Sequence, residues 1–259
     1  LDQPGPVAFA HRGGAAHHPE NSWPAFEHAV SLGYQYLETD LHATADGVLV
    51  AFHDHTLNRA TDRAGRIARL PHREVTAARI DGREPIPMME DLLAAWPDIR
   101  FNIDVKEDQA IGPLARALAR VNAWERVCVC SFSSRRLRVT RRALGRPVCM
   151  ALSPAALATV RLSRDLARRL ASEGMRCAQI PAAFASRGFV RRAHALGLQV
   201  HVWTVNDRTE MTCLLDLGAD GIMTDQTVLL RDVLAGRGQW DTVPQHTVGE
   251  KLPAVKNPR

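Results

Sequence analysis

Lysine is nearly absent from this chain. Of the 33 basic residues in 259, only Lys106, Lys251 and Lys256 are lysines, so the formal charge of +5 comes almost wholly from arginine. Arginine at nearly every basic position reads as coding bias rather than as a binding surface. The arginines are scattered through helix-like stretches such as 135–142 and 161–169, and aromatics, 5% of the chain, do not interleave with them to stack on bases. A nucleic-acid partner is therefore not expected. No run of eighteen apolar residues occurs, which argues against an integral membrane segment. The five cysteines (Cys128, Cys130, Cys149, Cys177, Cys213) show no Cys-x-x-Cys spacing and lie mostly in apolar runs. They read as reduced packing residues, which suits a cytoplasmic protein. Strand-like sequence begins by Val7, leaving no room for a signal core, although the chain starts at Leu1 and a removed leader stays open. No internal repeat is visible.

What is present is a rhythm. A hydrophobic content of 46% over this length can bury a sizeable core and is ordinary for one α/β barrel. Apolar strand candidates fall at 7–10, 36–41, 48–53, 101–106, 127–131, 148–152, 177–180, 199–204 and 221–224. A parallel pair needs a crossover of about a dozen residues, and the second and third candidates are separated only by Thr44 to Gly47. Those two must form an antiparallel hairpin turning at Ala45-Asp46-Gly47. The remaining eight strands are mostly separated by amphipathic segments at 24–32, 88–96, 111–121, 154–170, 187–196 and 208–217, which predicts a TIM-type (β/α)8 barrel. Polar and turn residues over 56–87 read as a small insertion after the second strand and its hairpin. The expected barrel domain spans 1–236, followed by a polar tail at 237–259.

The chemistry-bearing residues concentrate near the start, where His11-Arg12-Gly13, Glu20-Asn21, Glu38-x-Asp40 and His53-Asp54 follow one another. Imidazoles titrate near neutral pH and can give or take a proton. A guanidinium pairs with phosphate oxygens, and spaced carboxylates suit a hard divalent cation. Catalytic groups of such barrels sit at the carboxyl ends of strands. His11 and Arg12 follow the first strand, Glu38 and Asp40 lie late in the second, Asp104 and Lys106 end the next parallel strand, and Thr224-Asp225 end the last. Period-two alternation puts Glu38 and Asp40 on one face, Asp104 and Lys106 on one face, and Trp203 with His201. Two acids aimed into a barrel mouth need a cation. The other histidines, His17, His18, His28, His42, His55, His72, His194, His201 and His246, read as ordinary surface or core residues.

The residues resemble the glycerophosphodiester phosphodiesterase family over nearly the whole chain. The likeness rests on His11-Arg12-Gly13, Pro19-Glu20-Asn21, Glu38-x-Asp40, Asp46-Gly47, His53-Asp54, Leu57 with Arg59 and Thr61, Asn102 to Lys106, Ser131-Phe132, Trp203 to Asn206, and Asp220 to Asp225. It implies a divalent cation, Mg²⁺ or Ca²⁺ with Mn²⁺ an option, held by Glu38, Asp40 and Asp104, and an acid/base pair of His11 and His53. Arg12 and Lys106 are then expected on the phosphate of a small glycerophosphodiester and Trp203 against its glycerol. In related enzymes a neighbouring glycerol hydroxyl is thought to attack first, giving a cyclic phosphate that water opens. Which histidine is the base, and whether water attacks directly, stay open. Position 104 is Asp where the family usually has Glu, Ser22 stands for the usual Thr, and Gln226-Thr227 replace a usual Pro region. Lysophospholipase D and sphingomyelinase D-type enzymes share the core pattern, and a catalytically silent phosphate-binding barrel is the reading from another class.

Overall fold

A computed structural model describes residues 5–162 and 174–240. Its main sheet joins strands β1 (Val7–Ala10), β2 (Tyr36–Ala43), β3 (Leu49–Ala51), β6 (Arg100–Val105), β7 (Val127–Cys130), β8 (Cys149–Ala151), β9 (Met175–Pro181), β10 (Gln199–Trp203) and β11 (Gly221–Thr224). The order is β1-β11-β10-β9-β8-β7-β6-β2-β3, and parallel pairing of β1 with β2 closes eight of these strands into a barrel. Helices α1 (Trp23–Ser31), α3 (Met89–Ala95), α4 (Ile111–Arg120), α5 (Ser134–Leu144), α6 (Pro154–Leu162), α7 (Arg187–His194) and α8 (Arg208–Asp216) lie between the strands, and α9 (Thr227–Gly236) follows the last of them. The expected helix at 154–170 begins at Pro154, and its part beyond Leu162 lies outside the described residues.

Strand alternation sorts the core into two layers. Ala8, Ala10, Leu37, Leu41, Ile103 and Val105 join the large cluster shared with the helices, whereas Val7, Phe9, Tyr36 and Met223 form a separate cluster. Fully burying a leucine such as Leu37 or Leu92 stabilises the fold by about 1.5–3 kcal/mol. Helix α1 shows how sequence sets an element. The Ser22 side chain accepts a hydrogen bond from the Ala25 N–H, Pro24 occupies the first turn where no donor is needed, and Ala25, Phe26 and Ala29 bury one face. Removing the Ser22 hydroxyl is expected to cost about 1 kcal/mol.

The hairpin is present as expected. β3 runs antiparallel to β2 with Leu41 opposite Ala51, and Gly47 turns the chain at φ 80°. β3 is shorter than the 48–53 expected, ending at Ala51, although the Phe52 N–H still donates to the Asp40 carbonyl. The segment after it contains a helical turn, α2 (His72–Val75), and a two-stranded hairpin of β4 (Arg79–Ile80) and β5 (Glu84–Pro85). Val50, Phe52, Leu57, Ile67, Val75, Ala78, Ile80 and Ile86 give it a small core of its own. Within the expected tail, Trp240 packs edge-on against Tyr34 with ring centroids 5.1 Å apart; residues 241–259 lie outside the described part of the chain.

Candidate active site

The carboxyl ends of the barrel strands surround a cavity of about 580 Å³, a size suited to a small ligand. His11, Arg12, Glu38, Asp40, His53, Asp104, Lys106 and Trp203, every site residue expected from sequence, line it. They arrive from different elements. His11 and Arg12 leave β1 in a single helical turn that requires a left-handed backbone at Arg12 and at Gly13 (φ 51° and 83°). A Cβ on Gly13 would come within 2.9 Å of the Ala25 side chain, so this glycine lets the turn seat against α1. Glu38 and Asp40 project from β2, and register sets Asp40 beside Asp104 on β6. The hairpin returns His53 to them.

Both histidines are oriented alike. His11 Nδ1 lies 2.7 Å from Asp225 Oδ1, and His53 Nδ1 lies 2.6 Å from Asp54 Oδ1. A carboxylate on Nδ1 fixes that nitrogen as the donor and leaves Nε2 for proton exchange. Burial works to lower the His11 pKa, but the Asp225 hydrogen bond and the Glu38 charge outweigh it and leave it raised. Burial pushes Asp225 the other way from its partners, and the bond to His11 holds it below the usual carboxylate range. Arg59 holds Asp54 down to about 2, through contacts of 2.6 and 3.1 Å. Asp225 and Asp54 belong to the sequence motifs, but nothing local in the sequence marks them as the residues that orient the histidines. Their only signal is position, one at the end of the last strand and one beside His53.

Around the histidines runs a network of charge. Arg12 Nη1 donates to Glu20 at 2.9 Å, its Nε lies 3.2 Å from Asp40, and its backbone N–H donates to Glu38 at 3.0 Å. Glu20 also accepts from Arg59, which joins the Arg12 side of the site to Asp54 and His53. Asn21 donates to Asp40 at 3.2 Å and accepts from Thr39, so the Pro-Glu-Asn segment supports both Arg12 and the acids. The Lys106 ammonium lies 2.8 Å from Asp40 and 2.6 Å from Asp104. Burial opposes ionisation of Asp40, yet Lys106 and Arg12 draw its pKa below the usual value. Glu38 has less help, and burial together with the Asp40 charge pushes it up to about 7. Burial likewise raises Asp104, whose Oδ1 is buried without a hydrogen-bond partner. The buried, unpartnered Asp104 Oδ1 beside Asp40 is an oxygen donor of the kind a hard divalent cation takes. Glu38, Asp40 and Asp104 therefore fit a hard divalent cation.

The far wall of the cavity is apolar. Trp203 lies half-buried there, with Phe132 edge-on at 5.9 Å between centroids, and Leu152, Leu157, Ile180 and Phe184 continue the wall.

The chain matches the glycerophosphoryl diester phosphodiesterase family over residues 11–229. It is 42% identical over 247 residues to a probable glycerophosphodiester phosphodiesterase 2 of Mycobacterium tuberculosis, covering 92% of this chain and 94% of that one. A human lysophospholipase D is 24% identical, with 87% of this chain and 85% of that protein covered. Among solved structures, a glycerophosphodiester phosphodiesterase of Thermotoga maritima superposes with a TM-score of 0.74 at 21% identity, over 89% and 99% of the two chains. An Oleispira antarctica phosphodiesterase, solved with the product sn-glycerol-3-phosphate, superposes at 0.76 with 23% identity, over 89% and 97%. The family match runs from the end of β1 to the start of α9 and takes in the histidines, the acids and the lysine, and this chain belongs to the glycerophosphoryl diester phosphodiesterase family.

Proposed function

We propose that this enzyme hydrolyses glycerophosphodiesters to sn-glycerol 3-phosphate and an alcohol, with His11 and His53 as an acid/base pair around one phosphate. The observation that carries the reading is the matched pair of imidazoles, each held through Nδ1 by its own carboxylate, in a cavity that also holds Arg12 and Lys106. A phosphodiester monoanion repels nucleophiles, and Arg12 and Lys106 counter that charge at the non-bridging oxygens. Glu38, Asp40 and Asp104 would hold a divalent cation, Mg²⁺ or Ca²⁺, which would supply further neutralisation of the phosphate charge. The raised pKa of His11 favours its imidazolium, so His11 protonates the leaving oxygen while His53 takes the proton of the attacking hydroxyl, either of water or of the neighbouring glycerol; a cyclic phosphate formed by the glycerol hydroxyl is then opened by water with the two proton roles reversed. Trp203 supplies an apolar surface for the glycerol carbons.

One observation favours a second reading. Phe132 and Phe184 are 64% and 58% exposed at the cavity, continuous with its apolar wall, and an acyl chain would cover them. That is the substrate of a lysophospholipase D. One assay separates the two readings: incubation with glycerophosphocholine, glycerophosphoethanolamine and lysophosphatidylcholine, with and without chelator. Glycerol 3-phosphate is expected from the first two, lost on chelation and restored by Mg²⁺, Ca²⁺ or Mn²⁺. Turnover of lysophosphatidylcholine alone would establish the second reading, and full activity in metal-stripped protein would remove the cation from the mechanism.

A further inference from the structure

Two residues past Asp40, on the same face of β2, stands His42. It is fully buried, with Nε2 3.2 Å from the backbone carbonyl oxygen of His53 and Nδ1 3.1 Å from Glu107 Oε1. A carbonyl oxygen only accepts, so Nε2 carries the proton. Glu107 Oε1 already accepts the Ala43 N–H at 3.2 Å, so the carboxylate too is an acceptor. A neutral His42 therefore turns the lone pair of Nδ1 towards a carboxylate oxygen. Two lone pairs at that distance need a positive centre between them, either a second proton or a metal ion.

A third donor is in place. His55 packs edge-on against His42 with ring centroids 4.9 Å apart, and one ligand atom each from His42, His55 and Glu107 lie within 4.8 Å of one another. Around a tetrahedral ion with bonds of about 2.0–2.1 Å, donor atoms lie about 3.4 Å apart. The widest donor spacing in the trio must contract by up to about 1.4 Å, and His55, the one exposed member, can move to close it. A ligating histidine that donates its other N–H to a backbone carbonyl is the usual outer arrangement of metal sites.

We propose that His42, His55 and Glu107 bind a borderline transition-metal ion such as Zn²⁺, at a site separate from the oxygen-only set of Glu38, Asp40 and Asp104. Two imidazoles and one carboxylate select Zn²⁺, Co²⁺ or Ni²⁺ over Mg²⁺ or Ca²⁺. The ion acts as a clamp. The carbonyl held by His42 belongs to His53, and His55 is two residues further on, so metal binding pins the segment carrying His53 to the end of β2 and to the loop after β6.

Tag-free protein kept in excess Mg²⁺, so that hard-ion sites are filled, is titrated with Zn²⁺ by calorimetry and with Co²⁺ by visible absorption. One equivalent of each is expected to bind, with affinity falling at least about tenfold in His55→Ala and in Glu107→Gln. Zn²⁺ should also slow amide exchange over residues 53–57 in the wild type and not in His55→Ala. His55 is exposed, so its variant is expected to fold, and circular dichroism checks this. Equal affinity in wild type and His55→Ala overturns the proposal. So does a sulfur-to-cobalt charge-transfer band, which would put the ion on cysteine, or binding that Glu38→Gln abolishes and His55→Ala leaves intact.

Discussion

The two histidines of the site rest on unlike foundations. His11 is tied to Asp225, 214 residues away, across the pairing of β1 with β11, the first and last strands of the barrel, and its side chain is 17% exposed. His53 is tied to its own neighbour Asp54, is 34% exposed, and is braced through Arg59 and Glu20 from the segment outside the barrel. One half is thus a product of global closure and the other of local sequence. The difference teaches that a symmetric chemical task does not need symmetric construction. It also gives the halves different sensitivities, the buried one to its electrostatics and the exposed one to the order of the loop that carries it.

The hardest test removes each half in turn. His11→Ala and His53→Ala should each lower kcat by at least about 10²-fold with the fold retained. Near-full activity in either variant would end the paired mechanism. The orienting acids should then separate the halves. The Asp225 hydrogen bond and the Glu38 charge outweigh burial to raise the His11 pKa, so the imidazolium persists to higher pH than usual. Asp225→Asn should therefore lower kcat about tenfold and move the alkaline limb of the pH profile downward, whereas Asp54→Asn should lower kcat while leaving that limb in place. Identical pH shifts in both variants would erase the distinction drawn above. The smallest effect concerns the barrel wall. Trp203→Ala is expected to raise KM for glycerophosphodiesters a few-fold and to leave bis(p-nitrophenyl) phosphate little affected, since an activated aryl ester depends less on glycerol placement. Equal losses on both substrates would return Trp203 to a packing role.

Much of this architecture was legible before any coordinates. Val7–Ala10 and Gly221–Thr224 read as strands because each is a short run of small and apolar residues between polar stretches, and the short spacing between β2 and β3 forced the hairpin. Glu38 and Asp40 were legible as site residues because period-two spacing sets them apart from the apolar Leu37 and Leu41. The pairing of Asp225 with His11 was not, since no local pattern reports contact across a closed barrel. His42 and His55 read as ordinary histidines for the same reason, although Glu38-x-Asp40-x-His42 continues the inward-facing period by one step. The strand ends blurred where a single backbone bond, from Phe52 to Asp40, extends the ladder beyond the pleated pair.

The separate small core beneath His53 has a kinetic meaning. Val50, Phe52, Leu57, Ile67, Val75, Ala78, Ile80 and Ile86 pack among themselves rather than into the large cluster between strands and helices. A unit held by its own few contacts opens at a lower free energy than the barrel beside it. The enzyme can then visit a state with the barrel intact and one proton-transfer group adrift, a reversible off state that a global melting curve does not register. Thinning that little core, for example by Ile67→Ala, would enlarge the population of this state, and the loss would be read as a smaller fraction of competent molecules rather than as slower chemistry in each one.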